Sequence, residues 1–90
     1  MIIDSHCHLD FSPLGDNIDQ VVSRASDAGV SHMLCVAVDF EAIPSMVKKT
    51  EPFDQISTSV GIHPNSSLQS LDPSLEQLHQ LTQQKGVVAI

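Results

Sequence analysis

Residues 32–38 read HMLCVAV, one polar residue followed by six apolar ones without alternation. A strand with one face in water alternates apolar and polar side chains, whereas a short continuous apolar run suits a strand covered on both faces. We therefore expect a buried strand at 32–38, covered on both faces, of the kind that belongs to parallel sheets flanked by helices. The flanking sequence agrees. Upstream, Ile18, Val21, Val22, Ala25 and Ala28 recur at helical spacing, predicting a helix over 16–28. Asp16 is placed to cap its first-turn amides and Gly29 to supply its left-handed stop. Before that helix, residues 1–5 read as a short buried strand.

Downstream, residues 40–51 (FEAIPSMVKKTE) predict a short helix whose regular part starts at Pro44, with Ile43, Met46 and Val47 facing inward. Residues 56–62 (ISTSVGI) predict a third strand. Asp72-Pro73 is a capping residue followed by a proline suited to the first helical position, and it opens a helix with Leu75, Leu78 and Leu81 inward. Lys85-Gly86 is a fitting end for that helix, and residues 86–90 (GVVAI) read as a fourth buried strand. Strand and helix thus alternate along the whole chain, with no domain boundary. This is an α/β fold built from right-handed crossovers around a parallel sheet.

Composition narrows the function. The 90 residues suffice for one small domain, 41% are apolar, and with no Trp, no Tyr and three Phe the core must be aliphatic. Four Lys and Arg against eleven Asp and Glu give a net charge of −7. That excludes a broad basic face for non-specific binding to nucleic acid or anionic membranes. The N-terminus lacks the basic and long apolar regions of a secretory signal, and no apolar run is long enough to span a membrane. The expected location is cytoplasmic, with Cys7 and Cys35 as reduced buried thiols; a single disulfide is the other reading.

In a parallel sheet of this kind all strand C-termini lie on one rim, where ligands and catalytic groups collect. The ends of the expected strands deliver His6, His8 and Asp10, then Asp39 and Glu41, then His63. Within residues 4–10 (DSHCHLD), His6 and His8 are two positions apart. In an extended strand they project to one face, roughly 6–7 Å apart along the strand, and two imidazoles can lean onto one ion from there. Cys7 must point the other way. Asp4 shares the histidine face and is placed to orient an imidazole by accepting its second N–H. His63 is expected to contact substrate or to support the ligands from behind. His32 and His79 are expected to be structural or solvated, and Asp39 and Glu41 to cap the second helix.

DSHCHLD at the N-terminus, GVSHMLCVAVD and SVGIHPN in the middle and KGVVAI at the end together resemble the TatD family of metal-dependent deoxyribonucleases. The resemblance covers the whole chain in block order and separation, although Asp-x-His-x-His alone is shared with other metal-dependent hydrolases. It implies a (β/α)8 TIM-type barrel, of which residues 1–90 would form the first three to four βα units of a single domain, since a full barrel takes about 250 residues. It implies a site for one or two divalent ions (Zn, Mn or Mg) and phosphodiester hydrolysis of DNA at single-stranded ends, of the 3′–5′ exonuclease type. By position, His6 and His8 match metal ligands and His63 a site-lining histidine. The remaining family ligands, a Glu just after the fourth strand, two later His and a late Asp, would lie beyond Ile90. Two other readings are an amidohydrolase-like enzyme cutting C–N bonds and a non-catalytic fragment that self-associates through its uncovered surfaces.

Overall fold

A helix over Ile18–Asp27 (α1) ends where Gly29 takes φ 93°, a left-handed conformation that a Cβ disfavours. The Gly29 carbonyl then accepts the Ile2 N–H at 3.1 Å, so the turn that stops the helix also starts the sheet. The computed structural model describes residues 1–66 and 74–90. Among these, strands β1 (Ile2–Cys7), β2 (Val30–Val36), β3 (Ile56–Ser59) and β4 (Val87–Ala89) alternate with α1, α2 (Ile43–Thr50) and α3 (Leu75–Thr82). All pairings are parallel and the order is β1-β2-β3-β4. Such sequential order is how a βα barrel starts, whereas open doubly wound sheets reverse direction at a switch point.

The core is the layer between the helices and the outer sheet face. Val22 of α1, Met46 of α2, Met33 and Cys35 of β2, Ile56 of β3 and Leu9 pack together there, each at most 6% exposed. Leu34 and Val36 point to the other sheet face and are half-buried. The expectation that the 32–38 run is covered on both faces is therefore met on one face only. The inner face is the one that strands across a barrel would fill.

Several boundaries differ from the pattern-based expectation. β1 extends through His6 to Cys7, β2 spans 30–36 in place of 32–38, and β3 ends at Ser59. The first helix is preceded by a 3-10 turn over Leu14–Asn17, and Asp16 accepts the Ser12 hydroxyl at 2.6 Å in place of capping α1. Asn17 occupies the α1 N-cap without a side-chain cap bond. At α2 the N-cap position is Ala42 rather than Asp39 or Glu41, while Pro44 lies in the first turn as expected. The Asp72-Pro73 start lies outside the described residues; the described helix α3 is capped by Ser74, whose Oγ accepts the Gln77 N–H while Gln77 accepts the Ser74 N–H. No helix among the described residues is long and apolar enough to cross a membrane.

Candidate metal centre

The histidine pair is shaped by an irregularity in β1. Asp4 pairs with Met33 and Cys7 with Cys35, so three residue steps on β1 face two on β2. A bulge of this kind leaves one residue out of the ladder and re-aims the side chains around it. Here the His6 N–H donates to Asp4 Oδ1 at 3.1 Å. Asp4 therefore braces the main chain that carries His6, and its Oδ1 is engaged with backbone rather than with an imidazole.

The two rings meet edge to face, with centroids 5.1 Å apart and planes at 83°. Two imidazoles bound through nitrogen at about 2.0–2.1 Å to one tetrahedral ion have ring centres roughly 5 Å apart, so the separation of the pair is compatible with a shared ion. His8 is also oriented correctly. Its Nδ1 lies 3.0 Å from the Val36 carbonyl oxygen, which can only accept. Nδ1 must carry the proton, which leaves the Nε2 lone pair for a metal, the arrangement common to metal-binding histidines. Phe11 stacks on the other side of this ring at 4.9 Å and 14°.

His63 has the opposite arrangement. Its N–H donates to the Val38 carbonyl at 2.7 Å, tying the segment after β3 to the segment after β2 on the same rim. Its Nδ1 lies 3.1 Å from the Asn65 N–H, which can only donate. In the neutral ring the proton is then on Nε2, making that atom a donor rather than a ligand. His63 is exposed at the rim, and its hydrogen bonds go to Val38 and Asn65.

Asp10, the other rim candidate of the opening stretch, is engaged elsewhere. Asp10 accepts the Cys35 thiol at Oδ1, 3.5 Å away, and its carbonyl accepts from the Lys49 ammonium at 3.3 Å. Both cysteines are free thiols. Burial pushes the Cys7 pKa up to about 12 and the Cys35 pKa up to about 11, so both are protonated at neutral pH and poor metal donors. Cys7 donates to the Leu34 carbonyl at 3.4 Å. His32 is engaged with the Ser57 hydroxyl at 2.7 Å and His79 is exposed on α3. A cavity of about 150 Å³ lined by Thr50, Phe53, Ile56 and Lys85 opens at the other end of the strands, remote from the histidines. Among the described residues no group of three or more His, Cys, Asp or Glu is placed to hold a metal, and His6 and His8 stand as a pair.

Sequence reasoning missed Phe11, the Val36 carbonyl and the Asn65 N–H. The latter two are main-chain groups with no signature of their own. Phe11, three residues past His8, was open to notice as an aromatic next to a proposed ligand.

The TatD related DNase family model matches residues 3–90. The uncharacterized metal-dependent hydrolase YjjV of Escherichia coli K12 is 32% identical over 90 residues, covering 98% of this chain and 35% of the relative. The 3′-5′ ssDNA/RNA exonuclease TatD of Shigella flexneri is 29% identical, covering 99% of this chain and 34% of the relative. A crystal structure of YjjV, a TatD homologue, superposes with a TM-score of 0.85 at 32% identity, over 98% of this chain and 35% of that one. The chain thus spans about a third of the length of these relatives.

Proposed function

The chain belongs to the TatD-related DNase family, and on that premise we propose that it carries the first metal-binding arm of a phosphodiester hydrolase acting on single-stranded DNA ends. Homologues bear the name metal-dependent hydrolase, and the one named as a 3′-5′ ssDNA/RNA exonuclease supports both the substrate and the direction of cutting. The observation that carries the reading is His8 Nδ1 held 3.0 Å from the Val36 carbonyl, which directs Nε2 outward beside His6. A divalent ion in such a site, Zn, Mn or Mg, supplies a water of lowered pKa and neutralises charge on the phosphoryl oxygens.

The roles of this chain's residues follow from their protons. His6 and His8 offer lone pairs to the ion, and Asp4 fixes the main chain at His6. His63 offers an Nε2–H donor to a phosphate oxygen, a contact that gains strength as charge builds in the transition state. The further donors, for one ion or two, are proposed to come from segments beyond these 90 residues. On this reading the protein works in the cytoplasm, where the Cys7 and Cys35 thiols remain reduced.

The test is release of nucleotides from a single-stranded oligodeoxynucleotide by the full-length gene product, with added Mn²⁺ or Mg²⁺. Activity is expected to vanish on chelation and in the His6→Ala/His8→Ala variant. A wild-type rate in that variant would sink the assignment.

A further inference from the structure

We propose that Phe11 is a stacking platform for the nucleobase beside the scissile phosphate, an inference that rests on the phosphodiesterase reading above. One face of the ring is covered by His8, with centroids 4.9 Å apart and planes only 14° from parallel. The residue is nevertheless 45% exposed. The stack occupies one face, and part of the residue outside it is open in this chain. The ring thus stands directly against an imidazole whose Nε2 is left for the ion, and a nucleotide whose phosphate reaches that ion brings its base within range of the ring.

The ring also stands on a fixed backbone. The Phe11 carbonyl accepts the Gly15 N–H at 2.8 Å, and the Phe11 N–H reaches the His8 carbonyl at 3.4 Å. The carbonyl of the preceding Asp10 is bonded to Lys49. A Cβ at Gly15 would lie 2.3 Å from the Asp10 oxygen, so the turn closes tightly against the platform's own main chain. Such preorganisation reduces the ordering cost of binding.

The charge balance points the same way. A net charge of −7 with four Lys and Arg gives these residues little electrostatic hold on a phosphate backbone. What these residues contribute to holding a single strand then comes from the ion and from stacking, which tolerates any sequence because every base has a π-face.

The test measures KM and kcat of the full-length, metal-loaded gene product on a single-stranded oligodeoxynucleotide and on the same strand with its last two nucleosides abasic. For Phe11→Ala, KM on the intact strand is expected to rise about tenfold or more at unchanged kcat, with no change on the abasic strand. Phe11→Leu keeps an apolar cover on His8 without a π-face and is expected to behave like Phe11→Ala, whereas Phe11→Trp should restore the wild-type KM. Equal losses on both strands would overturn the proposal by reducing Phe11 to a support for His8, as would no loss on either. A wild-type protein that cuts both strands with the same KM refutes the platform alone. A wild-type protein that cuts neither refutes the phosphodiesterase reading and the platform with it.

Discussion

His8 Nδ1 lies 3.0 Å from the carbonyl oxygen of Val36, and that contact decides which ring nitrogen is left for a metal. A carbonyl has no proton to give, so His8 must be the Nδ1–H tautomer; His63, whose Nδ1 faces the Asn65 N–H, must be Nε2–H. Long-range ¹H–¹⁵N spectra of the neutral rings are expected to show a protonated Nδ1 with a bare Nε2 for His8 and the reverse for His63. Titrating Zn²⁺ into the protein should move the His8 Nε2 resonance and leave that of His63 in place. Identical tautomers for the two rings would remove the distinction between ligand and phosphate donor.

Gly15 is required by its neighbour rather than by its own backbone angles. A Cβ there meets the Asp10 carbonyl oxygen at 2.3 Å and its carbon at 2.7 Å, both main-chain atoms in a turn that Lys49 also holds. Gly15→Ala must push that turn outward, at a cost on the order of 1–3 kcal/mol typical of overpacking. Urea unfolding should show a lower midpoint at unchanged slope. Because Phe11 follows Asp10, the ring-current shift it imposes on the His8 protons should shrink in the same variant. An unchanged midpoint would show that the turn yields freely.

The order of elements was legible because the helices carry an apolar period and β2 a continuous apolar run, and because His6 and His8 lie at the end of β1 and His63 after β3. The cover on β2 was misjudged for a geometric reason: Met33 and Cys35 face the helices of this chain, while Leu34 and Val36 face an interior that only strands across a barrel would fill. Asp16 read as a helix cap because it precedes an apolar period. It is instead taken up by Ser12, and the helix starts after a 3-10 turn that has no strong sequence mark. The spacing of His6 and His8 was visible, but the bulge that turns Asp4 onto the His6 main chain and the Val36 carbonyl that selects the tautomer are backbone properties set by pairing between β1 and β2.

The start of α3 depends on a reciprocal pair. Ser74 Oγ accepts the Gln77 N–H at 3.2 Å, and Gln77 Oε1 accepts the Ser74 N–H at 2.8 Å. Together they satisfy two main-chain donors that the first turn leaves without partners. Ser74→Ala is expected to cost about 1 kcal/mol, with faster amide exchange in the first turn of α3 and no change at α1. Gln77→Ala should remove the smaller, returning half. Unchanged exchange at α3 in both variants would show that water replaces the box without loss.

Cys7 and Cys35, paired side by side across β1 and β2, make stability depend on alkaline pH. Burial raises both thiols from the ordinary 9.0, Cys7 to about 12 and Cys35 to about 11, with the proximity of Cys35 adding to the rise at Cys7. The folded chain therefore holds these protons at pH values where the unfolded chain releases them. For groups whose pKa is higher in the folded state, the stabilisation is fully present below the unfolded value and is lost as pH climbs toward the folded value. Urea midpoints are thus expected to be insensitive to these thiols up to about pH 8 and to fall from about pH 9 to 11. A Cys7→Ala/Cys35→Ala variant should show a flatter decline over that range. At pH 8 a thiol-reactive dye should label the native protein slowly and both cysteines at once in denaturant. Fast labelling of Cys7 in the native state would mean that its thiol is not held in protonated form by the sheet.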